Sequence, residues 1–400
     1  MQLRAPAVLP MPRGTLDTID IERLGRRLTL RRSGDGFEVS TPARDIADER
    51  AASAAFTALE GLQLSGPSRR IPDATLVRVT GKHRGRVVLE LLIGDGDHLV
   101  RIDGRDYQTK GAKPGLYDRA PDDWRERRLA VFSSTDVQQI EIETSDGSHI
   151  ALTRWHDTDA DADRWRPTRS SVAIDKLDEM VPREIVIAFA SLRASGFADD
   201  VSPAAAGLDP PALTVRAQLA GGRTATLFVG AAAGEDEVYV RTPDRPRILR
   251  AKRLDVDRIN RRPLQFRDKI LCDIPDVDVV SFGVTSGAQS YAVVRQGEGW
   301  KATRPTGLRL DPAKVAPLAT VFRRWSAPRI AEDPPRSAFR VPRAVIVGQS
   351  RNASCTIRVG GESTDAPGYF VQTPTSPDVF IVPKWMIDRI VVPLDELRKA

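Results

Sequence analysis

An acidic loop, Asp157–Asp163, is the sequence's best candidate for a metal site. Its aspartates stand at alternate positions: Asp157, Asp159, Asp161 and Asp163. Calcium-binding loops gather oxygen ligands at this spacing. The sixth position is Ala162 where such a loop has glycine, and the twelfth is Thr168 where it has a bidentate glutamate. A calcium site and a solvated acidic loop both stay open, but these departures favour the solvated loop, and we assign no metal ligand.

No other group of residues predicts catalysis. The histidines are His83, His98, His149 and His156, and none stands in the spacing of a zinc enzyme. The serines considered as nucleophiles are Ser286, Ser290 and Ser350, and no general base accompanies them. Glycine-rich phosphate loops and a complete nucleophile elbow are also missing from the sequence. We therefore predict a protein that is not an enzyme, with no catalytic residue and no cofactor site.

Two cysteines, Cys272 and Cys355, stand far apart and outside any Cys-x-x-Cys motif. This count and spacing argue against a disulfide framework and against a structural zinc site. We expect two buried free thiols. A single bridge between them, formed in an oxidising compartment, is the alternative.

The composition is that of an ordinary globular protein. The chain has 400 residues, of which 41% are hydrophobic and 28% charged, and a net charge of +6. The basic residues are scattered and mostly balanced by acids, so nucleic-acid binding is not predicted. No apolar stretch approaches the ~20 residues that a membrane-spanning helix needs. A soluble protein is one expectation, and a natural N-terminal anchor missing from this sequence is the other.

The elements that would position any site recur three times along the chain. Each copy begins with two short strands, near Thr18, Gln139 and Ser281, and apolar residues recur at matched positions. These positions are Ile19, Ile140 and Phe282; Ile21, Ile142 and Val284; Leu28, Ile150 and Tyr291; and Leu30, Leu152 and Val293. An arginine follows at a matched position: Arg32, Arg154 and Arg295. A repeat of whole supersecondary units fixes the architecture before any other feature.

An aromatic residue and then an aspartate follow each predicted hairpin. The aromatics are Phe37, Trp165 and Trp300, for which we predict core packing. The aspartates are Asp48, Asp175 and Asp311, each ahead of a helical pattern. A carboxylate there can accept a free backbone N–H, so we predict helix N-caps rather than catalytic groups.

Further strands and a second helical pattern complete each copy. We predict short helices over 122–128 and Leu254–Phe266, and a final helix over about 384–399. The strands are short and separated by turn residues, which favours antiparallel sheets covered by helices. The fold class is therefore α+β, in three repeated units that form an elongated array. The predicted division is a segment without regular structure at 1–14 and units at 15–128, 129–269 and 270–400.

An ordered series of motifs resembles one bacterial family. The series contains Gly207–Pro211, the run ALTVRAQLAGGRTATLFVG, a Tyr-Val strand, Phe266–Lys269, and then Trp300 and Pro305. This order is similar to that of the family called domain of unknown function 4340, and it is matched best over 137–325. The resemblance implies an extracytoplasmic α+β protein, usually held by one N-terminal membrane helix. Relatives are often associated with ABC-type transport systems, including the gliding-motility transporter, and no catalytic residues are implied.

These observations predict a non-enzymatic scaffold or interaction protein. We expect it to be an auxiliary component of an ABC-type transporter or a cell-envelope machine, with membrane transporter subunits as partners. We expect a periplasmic or other extracytoplasmic location, at the membrane through a partner or a missing anchor, and a cytoplasmic one if Met1 is the true start without an anchor. The alternative is a module that binds an envelope polymer, a lipid or another ligand in a groove between units.

Overall fold

The hairpin strands form because their apolar residues alternate with polar ones, which gives each strand one face to bury. In this computed structural model, which describes residues 9–68, 77–94, 99–110, 114–245 and 247–399, the matched residues pair across each hairpin. Ile19 lies opposite Leu30, Ile140 opposite Leu152, and Phe282 opposite Val293. All of these matched side chains are buried. The structure thus confirms the three predicted hairpins and the face that each one buries.

The first sheet is antiparallel and has the order β4-β3-β2-β1-β6-β7-β8-β9-β5. Its strands are β1 (Thr18–Arg23), β2 (Arg26–Ser33), β3 (Gly36–Thr41), β4 (Asp45–Ile46), β5 (Gln63–Pro67), β6 (Val77–His83), β7 (Arg86–Ile93), β8 (Leu99–Ile102) and β9 (Arg105–Lys110). Helix α1 (Glu49–Glu60) buries Phe56 and Leu59 in the core that contains the buried face of this sheet.

The second sheet has the order β12-β11-β10-β14-β15-β16-β17-β13. Its strands are β10 (Val137–Thr144), β11 (His149–Asp157), β12 (Ala162–Ser170), β13 (Gly196–Phe197), β14 (Leu213–Leu219), β15 (Thr224–Ala232), β16 (Glu237–Arg241) and β17 (Leu249–Lys252). The helices that accompany the first two sheets are α2 (Pro114–Tyr117), α3 (Met180–Ser191) and α4 (Arg253–Asp257).

The third large sheet has the order β21-β20-β19-β24-β25-β26-β27-β23, and a two-stranded sheet pairs β18 with β22. Their strands are β18 (Ile270–Cys272), β19 (Ser281–Ser286), β20 (Gln289–Gln296), β21 (Gly299–Arg304), β22 (Trp325–Ser326), β23 (Arg329–Ile330), β24 (Ala344–Gln349), β25 (Ser354–Glu362), β26 (Tyr369–Gln372) and β27 (Val379–Val382). Helices α5 (Pro312–Ala319) and α6 (Lys384–Asp388) bury Val315, Leu318 and Ile387 in one core with this sheet.

The protein is therefore a mixed α and β structure with mainly antiparallel sheets. The three large sheets share one strand order, except that β4 extends the first sheet beyond β3. The chain divides into two compact units: unit 1 is Met1–Arg169 with Arg183–Arg261, and unit 2 is Ser170–Pro182 with Arg262–Ala400. Unit 1 holds the first two sheets and unit 2 holds the third. The boundaries at 15–128, 129–269 and 270–400 stay a prediction.

Two predicted helices are shorter than expected, and in each case a proline begins or directly precedes a separate 3₁₀ turn farther along the chain. The helix predicted over Leu254–Phe266 ends at Asp257, and a separate 3₁₀ turn covers Pro263–Phe266. The last helix ends at Asp388 and is followed by a 3₁₀ turn at Leu394–Leu397, directly after Pro393. Proline has no N–H to donate and clashes with the preceding turn, so it starts a new element better than it continues one. The short helix predicted over 122–128 is likewise a 3₁₀ turn, Pro121–Trp124.

Candidate functional site

A short segment of unit 1, residues 121–129, forms backbone hydrogen bonds with β4 of the first sheet and with the segment that follows α3. We call it the first connector. Its Glu126 N–H donates to the carbonyl of Ile46 on β4 at 2.9 Å. Farther along, the N–H of Leu129 donates to the carbonyl of Leu192 at 3.1 Å. The connector therefore bridges β4 and the segment that leads from α3 to β13.

A buried ion cluster lies under this connector. The Asp45 side chain is fully buried, and those of Arg125 and Arg245 are 3% exposed. Arg125 Nε lies 2.9 Å from Asp45 Oδ2, and Arg245 Nη2 lies 3.0 Å from Asp45 Oδ1. Asp199 accepts from Arg125 Nη1 and Nη2 at 2.7 and 2.8 Å. We call these four residues the Asp45 cluster. Because its charges compensate one another, two guanidinium groups can be buried here.

Further contacts hold the two arginines in place. Arg245 Nη2 also donates to the carbonyl of Glu126 at 2.7 Å. The guanidinium carbon of Arg125 lies 3.6 Å from the ring centre of Phe197, a cation–π contact. The cluster thus ties together β4, the connector, the residues at β13 and the loop before β17.

The carboxylates beside the connector are held in their ionised form. The hydrogen bonds and charge of Arg125 lower the pKa of Asp199, against the opposing effect of burial. Burial by itself raises the pKa of Glu126, but the hydrogen bonds and charge of Arg128 outweigh it, so that this pKa is also lowered. A carboxylate held ionised in this way suits permanent charge pairing better than proton transfer near neutral pH.

An open groove of about 1120 Å³ runs beside the cluster, entirely within unit 1. Its walls come from the β2–β3 hairpin, β4, the connector, the β14–β15 hairpin and the loop before β17. Two of the exposed large apolar side chains of the described chain, Ile46 (42% exposed) and Val131 (62% exposed), line it. The groove therefore offers apolar surface beside charged groups.

The groove is acidic in a chain that is basic overall. Six acidic side chains line it: Asp35, Glu38, Asp45, Glu49, Glu126 and Asp244. Four arginines line it: Arg44, Arg128, Arg223 and Arg245. The difference is a formal charge of −2, against +6 for the chain.

Several groove charges are available to a ligand. Within the described residues, Asp35, Glu49, Arg223 and Asp244 take part in no side-chain hydrogen bond or ion pair within 4 Å. In the same part of the chain, Arg245 Nη1 is buried with no hydrogen-bond partner. A buried donor without an acceptor is energetically unfavourable.

The acidic loop predicted as a calcium candidate does not gather its carboxylates. Asp157 accepts from the N–H of Asp159 and forms an ion pair with Arg164 at 2.6 Å. His156 lies between Asp161 and Asp163, at 3.5 and 3.2 Å. Across the described ranges, no group of three or more histidines, cysteines and acids is placed to hold a metal ion. The described geometry therefore adds no support to the calcium hypothesis.

The recurring aspartates are helix caps in two of three cases. Asp48 accepts from the N–H of Ala51 at 2.8 Å, and Asp311 from that of Ala313 at 3.0 Å, as predicted. Asp175 was the wrong residue, because α3 begins at Met180 and its first free N–H donates to Asp178 at 3.1 Å. The three extra residues of this copy shift the cap by three positions.

The recurring aromatics pack under the recurring arginines. The guanidinium carbon of Arg32 lies 5.3 Å from the ring centre of Phe37. The matching distances are 5.1 Å for Arg154 over Trp165 and 4.8 Å for Arg295 over Trp300. Each arginine also donates to backbone carbonyls ahead of its hairpin: Leu16 for Arg32, Ser134 and Thr135 for Arg154, and Asp276 and Val279 for Arg295. The aromatics are thus structural, as predicted, although an arginine covers each ring.

The two cysteines form a disulfide, so the expectation of free thiols was wrong. Cys272 on β18 is bonded to Cys355 on β25, both in unit 2, across 83 positions. Both residues are buried, and they join the small sheet to the third large sheet. Two isolated cysteines carry no sequence pattern that reveals this pairing, and only their approach in space does.

The remaining candidates do not converge. Ser290 shares a hydrogen bond with Thr285, Ser350 bonds the backbone of its own turn, and Ser286 donates to the carbonyl of Arg343. His83 lies 3.9 Å from Asp17, and His149 bonds the carbonyl of Gly147 in its own turn. His98 lies outside the described residues.

The connector recurs twice in unit 2. The second connector (residues 263–269) places Arg267 opposite Leu177, and the third (residues 393–399) places Arg398 opposite Leu310, as the first places Arg125 opposite Ala47. In each case the residue before the arginine accepts from the N–H of a helix-capping aspartate: Asp48, Asp178 or Asp311. Sequence analysis missed this arginine, although an apolar-Arg pair that begins three residues after Pro121 and Pro263 and four residues after Pro393 is a usable signal.

Comparison with known proteins gives a family and no characterised relative. The family model described as Domain of unknown function (DUF4340) matches residues 49–211 and again residues 204–340. No curated protein and no solved structure matches the chain. In the described ranges, every helix falls short of the length and apolarity that a membrane span requires. The two matches cover well over half of the sequence, and the chain therefore belongs to the Domain of unknown function (DUF4340) family.

Proposed function

We propose that the protein is a non-enzymatic interaction module that acts outside the cytoplasm as an auxiliary component of an ABC-type transporter or another cell-envelope machine. The observation that carries this proposal is the acidic groove beside the Asp45 cluster. Its size, its exposed Ile46 and Val131 and its unpaired Asp35 and Asp244 suit a protein segment that brings basic and apolar side chains together.

The cluster supports a binding role rather than a chemical one. Its arginines and carboxylates are engaged with each other, and two of its segments carry the walls of the groove. A rigid wall lowers the entropy lost on binding because less of the site must become ordered. The cluster is therefore a support for the groove.

The edges of the sheets are a weaker alternative for partner binding. Edge strand β12 carries Arg164, Arg166, Pro167 and Arg169, and β21 carries Lys301 and Arg304. Charged side chains and proline on an edge oppose the addition of a further strand. The groove is thus the better surface for a partner.

The location outside the cytoplasm is supported by the disulfide between Cys272 and Cys355. Disulfides persist in oxidising compartments and are rare in the reducing cytosol. The transporter association comes from the family resemblance alone, and we propose it on that basis.

We also propose that the chain consists of three repeated units in an elongated array. Three findings support a repeat: the shared strand order of the large sheets, the recurring connector, and the two successive family matches. Stacked units of this kind offer extended binding surfaces.

The test is recovery of partners from the host's membranes with the full-length protein as bait. We expect a transporter permease or ATPase in near-equal amount, and a large loss of that partner with Val131→Asp. Val277→Asp is the matched control, since Val277 is also exposed but belongs to unit 2 and does not line the groove. Equal recovery with both variants, or no membrane partner at all, would overturn the proposal.

A second candidate is a module for an acidic envelope polymer, favoured by the unpaired Arg223 at the groove and opposed by the formal charge of −2 of its lining. Calorimetric titration with polygalacturonate tests it. We expect heat that disappears with salt and with Arg223→Gln. If no heat of binding is detected, a segment of a protein partner remains the proposed occupant of the groove.

A further inference from the structure

A basic, apolar tip lies at one end of the first sheet. Leu24 and Gly25 form the turn between β1 and β2, with φ of +49° and +75°. Leucine is unfavourable in this left-handed region, where glycine and asparagine are preferred. The Leu24 side chain is nevertheless 84% exposed. The equivalent turns, Thr144–Ser148 and Ser286–Gln289, carry no large apolar side chain, so nothing in the shared fold requires this leucine.

Arginines surround Leu24. Arg23, Arg26, Arg27 and Arg119 line a depression of about 410 Å³ together with the buried rings of Tyr117 and Trp124. We call these four arginines and Leu24 the basic tip.

Only part of this positive charge is neutralised. Arg23 pairs with Asp118, and Arg27 lies 3.7 Å from Asp20. Within the described residues, Arg26 and Arg119 have no acidic partner. The guanidinium of Arg119 instead lies 5.4 Å from the ring centre of Trp124. Two arginines beside a protruding leucine are therefore free to meet anionic groups.

We propose that the basic tip binds the surface of an anionic lipid membrane. Arginine side chains are attracted to anionic headgroups, and an aliphatic side chain gains by entering the boundary between headgroups and acyl chains. Among the described residues that line the depression, Leu24 is the one exposed large apolar side chain. A protein partner favours a contiguous apolar patch, whereas one protruding side chain among arginines fits a fluid surface better. This contact is independent of the acidic groove and of the function proposed for it.

Sedimentation of the full chain with lipid vesicles tests the proposal. We expect binding to vesicles of equal parts phosphatidylglycerol and phosphatidylcholine, no binding to phosphatidylcholine alone, and weakening with salt. Arg26→Gln with Arg119→Gln lowers the partition coefficient about 30-fold. Leu24→Asn lowers it about fivefold. Because asparagine followed by glycine is the preferred sequence for this turn, Leu24→Asn also raises the thermal midpoint, which separates binding from folding.

Helix α4 provides matched controls in the same unit. Leu254 is 75% exposed, and Arg253 and Arg258 flank it, but Asp255 and Asp257 stand among them. Leu254→Asn, and Arg253→Gln with Arg258→Gln, should leave vesicle binding unchanged. Equal loss with these controls, or equal binding to both kinds of vesicle, would overturn the proposal. Binding to poly-glutamate without binding to vesicles would also overturn it and would point to an acidic protein partner.

Discussion

The first two connectors hold the same backbone geometry with different side-chain partners. In unit 1, Arg125 is 3% exposed and contacts both Asp45 and Asp199. In unit 2, Arg267 is 19% exposed, pairs with Asp378 and donates to the carbonyl of Ala173. The backbone hydrogen bonds that flank the two arginines are nearly identical in length. The conserved element is thus the backbone ladder, and the ion pairs are local additions to it.

The two units also differ in what reinforces the connector region. Unit 1 adds Arg245, 200 positions from Asp45, and this arginine completes a buried cluster. Unit 2 instead has the disulfide that ties β18, next to the second connector, to β25. At the third connector Arg398 is 55% exposed and pairs only with the nearby Asp395 among the described residues. The same backbone motif therefore accommodates an arginine side chain that is buried, partly buried or exposed.

The largest expected effect comes from Asp45→Asn, which leaves Arg245 buried without its carboxylate and Arg125 with Asp199 alone. We expect a loss of about 3–5 kcal/mol in the free energy of unfolding, because an uncompensated buried charge is strongly destabilising. Urea unfolding followed by tryptophan fluorescence measures it.

The matched control in unit 2 is Asp378→Asn, where both partners are partly exposed to water. We expect a loss of about 1 kcal/mol. Equal losses for the two variants would contradict the difference that we draw between the connectors.

The second expected effect concerns the disulfide of unit 2. Replacing both Cys272 and Cys355 by serine should lower the free energy of unfolding by about 2–4 kcal/mol, since the bridge restricts a long loop in the unfolded chain. Reducing agent should lower the urea midpoint of the wild type and leave that of the double variant unchanged. A variant that still responds to reducing agent would show that the bridge is not the cause.

Sequence pattern was sufficient wherever local chemistry decides the structure. The alternating residues of the hairpins, such as Ile19 with Leu30, defined the buried faces correctly because a strand has a fixed period of two. Asp48 and Asp311 were found as caps because a helix start needs an acceptor within three residues.

The sequence pattern did not predict features that depend on contacts between residues far apart in the chain. Nothing in the sequence relates Asp45 to Arg245 or Cys272 to Cys355, since each pair is joined only by the tertiary fold. The candidate site was therefore not predictable, although its scaffold was. Asp175 was predicted where Asp178 is the cap, because three inserted residues displaced the cap while the overall spacing stayed similar.

The third expected effect is equal in the two units. Asp48→Ala and Asp311→Ala should each lower the free energy of unfolding by about 1 kcal/mol, because each removes the acceptor for one free N–H at a helix start. Asp175→Ala is the control and should change little, since this exposed residue caps no helix. If Asp48→Ala and Asp311→Ala lower the free energy of unfolding by different amounts, the two units differ in more than the partners of their connector arginines.

The smallest expected effect is a pH dependence in unit 1. The hydrogen bonds of Arg125 lower the pKa of Asp199 in the folded state. The stability that this pair contributes is present above the unfolded pKa of about 3.9 and is lost as the pH falls through the lower folded pKa. We expect Asp199→Asn to cost no more than about 1 kcal/mol near neutral pH, and the difference from wild type to shrink as the pH falls below about 3.9. Urea midpoints of both proteins across this range measure it, and a difference that grows as the pH falls would contradict the assigned direction. Asp199 is partly exposed whereas Asp45 is fully buried. The pH dependence of Asp199→Asn therefore reports on the water-accessible ion pair of the cluster, and Asp45→Asn reports on the buried ones.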